Sequence, residues 1–256
     1  MSEKKFNIAI LIDGDNAQAK LLKETIEEVS KYGKATIRRI YGDWTSTTMN
    51  SWKDLINQFS INPIQKFSYT TGKNSTDGAL IIDAMDILHG KNIEGFCIVS
   101  SDSDYTGLAK RIREEGLFVM GIGEKKTPEA FVKSCDIFTY TENISPKPPV
   151  KTQVVPKKIN TKATPKKGTV SRKTKNKSFL SEKDQETIFK AFEISTNDND
   201  IAHISKVGAN IRKIDPSFDA RTYGFTSLSK LFDNLTDFEI IKNEVGELNH
   251  PLVKRK

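Results

Sequence analysis

The apolar run Gly95-Phe96-Cys97-Ile98-Val99 stops abruptly in Ser100-Ser101-Asp102-Ser103-Asp104. Five apolar residues bounded in this way read as a buried strand, and the acids mark where it leaves the core. Two carboxylates one residue apart repel, and each raises the other's pKa unless a cation or hydrogen-bond donors compensate. The same event occurs near the start, where Phe6–Ile12 runs straight into Asp13-Gly14-Asp15-Asn16. Two buried strands that both end in acid, within one α/β pattern, imply a shared acidic pocket.

Residues 6 to about 140 alternate short apolar runs with segments of helical period. After the first strand, Leu21, Leu22, Ile26 and Val29 mark a helix over 17–32 that closes on Gly33 as a C-terminal stop. Ala35–Tyr41 reads as the second strand and Ile64–Tyr69, after Pro63, as the third, with a helix over 49–61 between them. A polar loop, 70–76, leads into a helix over Asp77–His89. Helices over 105–115 and 128–133 then alternate with strands over 95–99, 117–122 and 137–140. The expected fold is α/β: a Rossmann-like, mostly parallel sheet with helices on both faces. In such sheets the working site lies beyond the carboxyl ends of the strands, where Asp13, Asp102 and Asp104 fall.

The net charge of +7 is concentrated in one place. Pro146–Ser178 holds 11 Lys and Arg, no Asp or Glu, and five of the nine prolines, so the remainder nets −4. That composition buries too little surface to offset chain entropy, and 143–178 reads as a disordered basic linker between a domain at 1–142 and another at 179–256. It is either a solubilising spacer or an electrostatic arm for phosphate backbones. Past Phe179 the pattern becomes mainly helical. Ser181 caps a first helix, Ile201–Ile214 gives a second, Leu228–Leu235 a third, and Phe238–Ile241 with Gly246 a short wing hairpin. This is a small winged-helix (α+β) unit. No run of 18 apolar residues occurs, and the N-terminal run of seven is too short for a signal peptide or a membrane span. Cys97 and Cys135 both sit in apolar runs, as reduced thiols of a cytoplasmic protein would.

Asp13, Asp77, Asp102 and Asp104 are the acids expected together, Asp77 because it opens a helix after the polar loop and points back over the sheet. A helix start tolerates one carboxylate, but four in one pocket call for cations, and hard oxygen ligands select Mg²⁺ or Mn²⁺ over zinc. The three histidines, His89, His203 and His250, are scattered. Such a site activates water and neutralises charge on a phosphodiester. For single acids the plain alternative is a helix cap, Asp104 for the helix that follows it. Asn16 either orients Asp13 or caps; Lys73 either meets a phosphate or is solvated. Asp15 and Asp83 are less well placed, Asp83 as a structural group or one that supports a metal-binding acid. Asp13-Gly14-Asp15 superficially matches the DxD of aspartyl-phosphate phosphatases, but the remaining elements of that scheme fit poorly. No phosphate-binding glycine loop is present.

Ile12–Asn16, Lys73–Asp77 and Val99–Tyr105 together resemble the NYN domain, a PIN-like ribonuclease fold, over about residues 5–142. The resemblance implies metal-dependent hydrolysis of RNA, with Asp13, Asp77, Asp102 and Asp104 as metal-binding catalytic acids accompanied by Asn16. Val207–Ile211, Asp215–Asp219, Arg221–Phe225, Leu228, Leu231 and Asp237-Phe238 resemble the OST-HTH/LOTUS domain, over about 179–250. That implies an RNA- or protein-partner-binding winged helix, in which Phe218, Tyr223, Leu228 and Leu231 pack in the core. Arg221 and Lys230 are its candidate nucleic-acid contacts, alongside Lys73 of the first domain. The reading is a Mg²⁺- or Mn²⁺-dependent ribonuclease; the alternative is a non-catalytic RNA-binding adaptor. Deleting 146–178 is expected to weaken nucleic-acid binding and flatten its salt dependence, measured across a salt series. An unchanged salt slope would remove the electrostatic-arm reading.

Overall fold

Strand β1 (Phe6–Asp13) sends Ile8, Ile10 and Ile12 into one core and Ala9 and Leu11 into another. A strand buried on both faces must be covered on both, and that sets the architecture. In the computed structural model, which describes residues 6–67, 75–90, 93–146, 180–196, 200–241, 244–245, 248–249 and 251–256, β1 sits inside a parallel sheet. The other strands are β2 (Gly33–Gly42), β3 (Asn62–Gln65), β4 (Gly95–Val99), β5 (Phe118–Gly123) and β6 (Ile137–Tyr140). Their order is β3-β2-β1-β4-β5-β6, and every neighbouring pair is parallel.

Helix α1 (Leu22–Ser30) and a 3-10 turn over Thr47–Trp52 that leads into α2 (Lys53–Gln58) cover one face, where Leu22, Val29, Met49 and Trp52 pack on Ile10, Cys97 and Met120. Helices α3 (Ser75–Gly90), α4 (Thr106–Glu114) and α5 (Glu129–Ser134) cover the other, where Leu80, Ala84, Leu108, Ile112 and Phe131 pack on Leu11, Phe96 and Val119. A short helix, α6 (Thr141–Ile144), follows β6. Strand β1 leads to β2 on one side and β4 leads to β5 on the other. The crevice between β1 and β4 is therefore the switch point of a doubly wound sheet.

Several boundaries differ from the sequence expectation for local reasons. Helix α1 begins only at Leu22, after a 3-10 turn over Ala19–Leu21, and ends at Ser30. Gly33 does not stop it. Gly33 opens β2 opposite Phe6, and a Cβ there would lie 2.3 Å from the Phe6 carbonyl oxygen. The glycine serves a close strand approach, not a left-handed helix end. Pro63 lies inside β3, at the sheet's edge, where the N–H it lacks is least missed. The expected third strand ran to Tyr69, but residues 68–74 lie outside the described residues.

In the C-terminal part, Ser181 caps α7 (Glu182–Ser195) by accepting the Asp184 N–H at 3.2 Å. The expected second helix divides: β7 (Ile201–His203) is a strand, and α8 (Ile204–Ile214) starts after it. Strand β7 exists because β11 (Leu252–Arg255) pairs with it on one side and with β8 (Phe238–Ile241) on the other. Between them α9 (Leu228–Asp233) completes the helices, and β9 (Glu244–Val245) with β10 (Leu248–Asn249) forms the wing. Phe238 anchors this unit, with the rings of Phe189, Phe192 and Phe232 centred 5.1–5.3 Å away. Phe218, Tyr223 and Leu228 pack against the same core, as their sequence positions suggested. Among the described residues no helix is long and apolar enough to cross a membrane.

Gly33→Ala is expected to destabilise the first domain by about 1–3 kcal/mol, because the added methyl meets backbone that has to move. Urea unfolding measures this, and an unchanged midpoint would contradict the close approach of β2 to β1.

Candidate metal centre

Strands β1 and β4 are in register from Ile8 opposite Gly95 to Ile12 opposite Val99, so the next residues, Asp13 and Ser100, meet at the sheet's carboxyl edge. The Ser100 hydroxyl donates to Asp13 Oδ2 at 2.8 Å, and Asn16 Nδ2 donates to the same oxygen at 2.7 Å. Asp13 is fully buried. Burial pushes its carboxyl above the ordinary value, and the bonds from Asn16 and Ser100 pull part of the way back. Gly14 lets the chain turn tightly over β2: its N–H donates to the Tyr41 carbonyl at 2.9 Å, and a Cβ would lie 2.8 Å from that oxygen.

The other acids arrive from two helix starts. Asp102 accepts the Asp104 N–H on Oδ1 at 2.9 Å and so caps the 3-10 turn over Ser103–Tyr105. Its own N–H donates to Ser100 Oγ at 3.1 Å, which links it through one hydroxyl to Asp13. Asp77 stands in the first turn of α3, where the helix dipole favours negative charge. The Tyr105 hydroxyl donates to Asp77 Oδ1 at 2.6 Å from a fully buried ring. Burial raises the Asp77 pKa; the Tyr105 bond lowers it, and the charges of Asp13, Asp102 and Asp104 raise it again. Burial, then the Asp13 charge and the Asp77 bond, keep the Tyr105 phenol protonated far above neutral pH. The start of α3 is further tied to β1 by Thr76, whose hydroxyl donates to Asp15 Oδ2 at 3.0 Å.

Asp77, Asp102 and Asp104 each offer a carboxylate oxygen, and these atoms lie within 4.8 Å of one another. The donor set is all hard oxygen, half-buried to exposed, which fits Mg²⁺ or Mn²⁺. The structure therefore groups three of the four aspartates named from the sequence, Asp77, Asp102 and Asp104. Asp13 is not in that group but is joined to Asp102 through the Ser100 hydroxyl, with Asn16 bonded to it. Asp15 faces Thr76, and Asp83 pairs with Arg39 and Tyr41 away from the cluster. Lys73 lies outside the described residues. Lys230 is exposed on α9. Arg221 is not on an open basic surface: Glu28 and Asp219 take its guanidinium. Ser100 and Tyr105 were not singled out from the sequence as site residues, although both flank the acidic motif. A serine at a strand end and a tyrosine at a helix start carry no chemical signal until their hydroxyls have partners.

The model of the NYN domain family matches residues 7–143, and that of the OST-HTH/LOTUS domain matches residues 173–250. Among solved structures, the crystal structure of a protein of unknown function from Vibrio parahaemolyticus RIMD 2210633 is similar at 17% identity and a TM-score of 0.48. The match covers 56% of this chain and 98% of that one. No curated protein matches.

Because burial raises the Asp13 pKa, the native state holds the Asp13 proton to higher pH than the unfolded chain does, and ionising Asp13 costs stability as pH rises through that window. Asp13→Asn keeps an acceptor for Asn16 and Ser100 and removes the charge. The variant is expected to unfold at higher urea concentration than wild type at neutral pH. The gain should close as pH falls below the ordinary carboxylate pKa of about 4. A variant less stable at every pH would contradict a penalty from the buried charge.

Proposed function

The chain belongs to the NYN domain family, and from that premise we propose that it is a Mg²⁺- or Mn²⁺-dependent ribonuclease whose LOTUS domain contributes RNA or partner binding. The observation that supports this reading is the convergence of Asp77, Asp102 and Asp104, with a buried Asp13 joined to Asp102 through Ser100. NYN domains are PIN-like, and both domain families are associated with RNA.

Asp77, Asp102 and Asp104 would hold the cation. A divalent ion there supplies charge neutralisation for a phosphodiester and lowers the pKa of water. The protein's own groups do the placing. Tyr105 fixes the Asp77 carboxylate by a 2.6 Å bond and, as a neutral phenol, adds no charge. Ser100 couples Asp13 to the Asp102 backbone, so the two strand ends move as one. Asn16 offsets part of the cost of burying the Asp13 carboxylate. Asp104 is the exposed member and would be the first to meet a phosphate backbone. Lys230 and Lys73 are proposed contacts to that backbone. A reducing, cytoplasmic setting fits Cys97 and Cys135, both buried free thiols whose pKa burial raises, that of Cys135 to about 12.

The test is cleavage of labelled single-stranded and structured RNA with Mn²⁺, Mg²⁺ or EDTA. Wild type is expected to cut only with metal, and an Asp102→Asn, Asp104→Asn double variant to bind RNA without cutting. Tyr105→Phe should lose about 10- to 100-fold in metal affinity or activity, as for other groups that orient a ligand. Binding without cutting under every metal condition would make the protein a non-catalytic RNA-binding adaptor.

A further inference from the structure

Glu28 lies near the end of α1 with only 3% of its side chain exposed. In its own domain it has Lys31, an ammonium more than half exposed. Its other partner is 193 positions away: Arg221 donates from Nη1 at 2.9 Å and from Nη2 at 2.8 Å, a two-pronged fork on both carboxylate oxygens. Asp219 takes the Nε side at 2.8 Å. Burial alone would raise the Glu28 pKa, but Arg221 and Lys31 outweigh it and keep the carboxylate ionised.

The contacts around this pair join the two domains. The N–H of Phe138, on the edge strand β6, donates to the Pro216 carbonyl at 2.9 Å. Asn143 Nδ2 donates to Thr222 Oγ1 at 2.9 Å, and exposed Lys183 meets Glu129 at 3.5 Å. Between the two surfaces lies a cavity of 250 Å³ that Lys31, Tyr32, Phe138, Arg212, Ser227 and Leu228 help to line. A domain interior has no such voids, so this join is polar and incompletely packed. A buried ion pair adds little net stability, because desolvation consumes most of the attraction, but it does specify geometry. Domains on one chain meet at an effective concentration on the order of millimolar, enough to close even a weak interface.

A phosphate presents the guanidinium with the same paired oxygens as a carboxylate. We propose that Glu28 acts as an internal stand-in for phosphate: it latches Arg221 and holds the C-terminal domain on the sheet edge until an RNA phosphate takes its place. Arg212 and Lys31, both exposed at the cavity, lead a polyanion to the fork. The latch rests on the RNA reading above but not on cleavage. With the latch shut in nine of ten molecules, RNA affinity is reduced about tenfold relative to an open chain.

The experiment uses the full chain in EDTA, so that nothing is cut. Asn143→Cys and Thr222→Cys replace a pair already in hydrogen-bond contact across the join, and the native thiols are buried, so mild oxidation cross-links the docked form. Cross-linking is expected without RNA and suppressed by a saturating uridine-rich single-stranded RNA. In the native-cysteine background, Glu28→Gln should tighten RNA binding about tenfold, and adding Arg221→Gln should abolish that gain. RNA that binds while cross-linking is unchanged overturns the latch, as does a Glu28→Gln chain of wild-type affinity. A chain that binds no RNA overturns the RNA reading and the latch together, whereas one that binds and never cuts overturns the nuclease alone.

Discussion

The parallel pairing of β1 with β4 decides what happens at the mouth of the sheet. Because Ile12 stands opposite Val99, the next residues on each strand are adjacent, and the Ser100 hydroxyl reaches a fully buried Asp13. Shift the register by one residue and the apolar sets of both strands turn to the wrong core, since side chains alternate with period two. The register is therefore held by hydrophobic burial on two faces, and the acids inherit their geometry from it.

That inheritance has an electrostatic cost. Burial raises the pKa of Asp13 and of Asp77, and neighbouring carboxylates add to it. The structure offsets this with neutral donors: Asn16 and Ser100 on Asp13, and Tyr105 on Asp77. None of the three carries a positive charge. A structural ion pair is arranged differently. Asp83, also on α3, is matched by Arg39 and Tyr41 within the domain. Two aspartates on one helix are thus met differently, Asp77 by a phenol and Asp83 by a guanidinium as well as a phenol.

The two domains differ in how they settle their charges. In the first, neutral hydroxyl and amide donors meet the carboxylates of Asp13 and Asp77. At the join, Glu28, Arg221 and Asp219 are matched almost completely, and the edge of β6 is covered where an unpaired strand would otherwise face water. An interface built from matched charges around a cavity is specific in orientation and modest in strength.

Strand and helix periods and acid-terminated apolar runs were enough, from the sequence alone, for a doubly wound sheet with Asp13, Asp77, Asp102 and Asp104 at its carboxyl edge. These are local signals: alternation, chain reversal and the cost of burying charge act within a few residues. Tertiary structure decided what depends on distant partners. Gly33 looked like a helix stop because its neighbours are helical, and only pairing with Phe6 made it part of a strand. Ile201–His203 has helical spacing, and only β11, some 50 residues on, drew it into a sheet. Tyr105 acquired its role from Asp77, and Arg221 from Glu28. A hydroxyl or a guanidinium has no fixed meaning in a sequence, since its function is set by whichever acceptor the folded chain brings within hydrogen-bond reach.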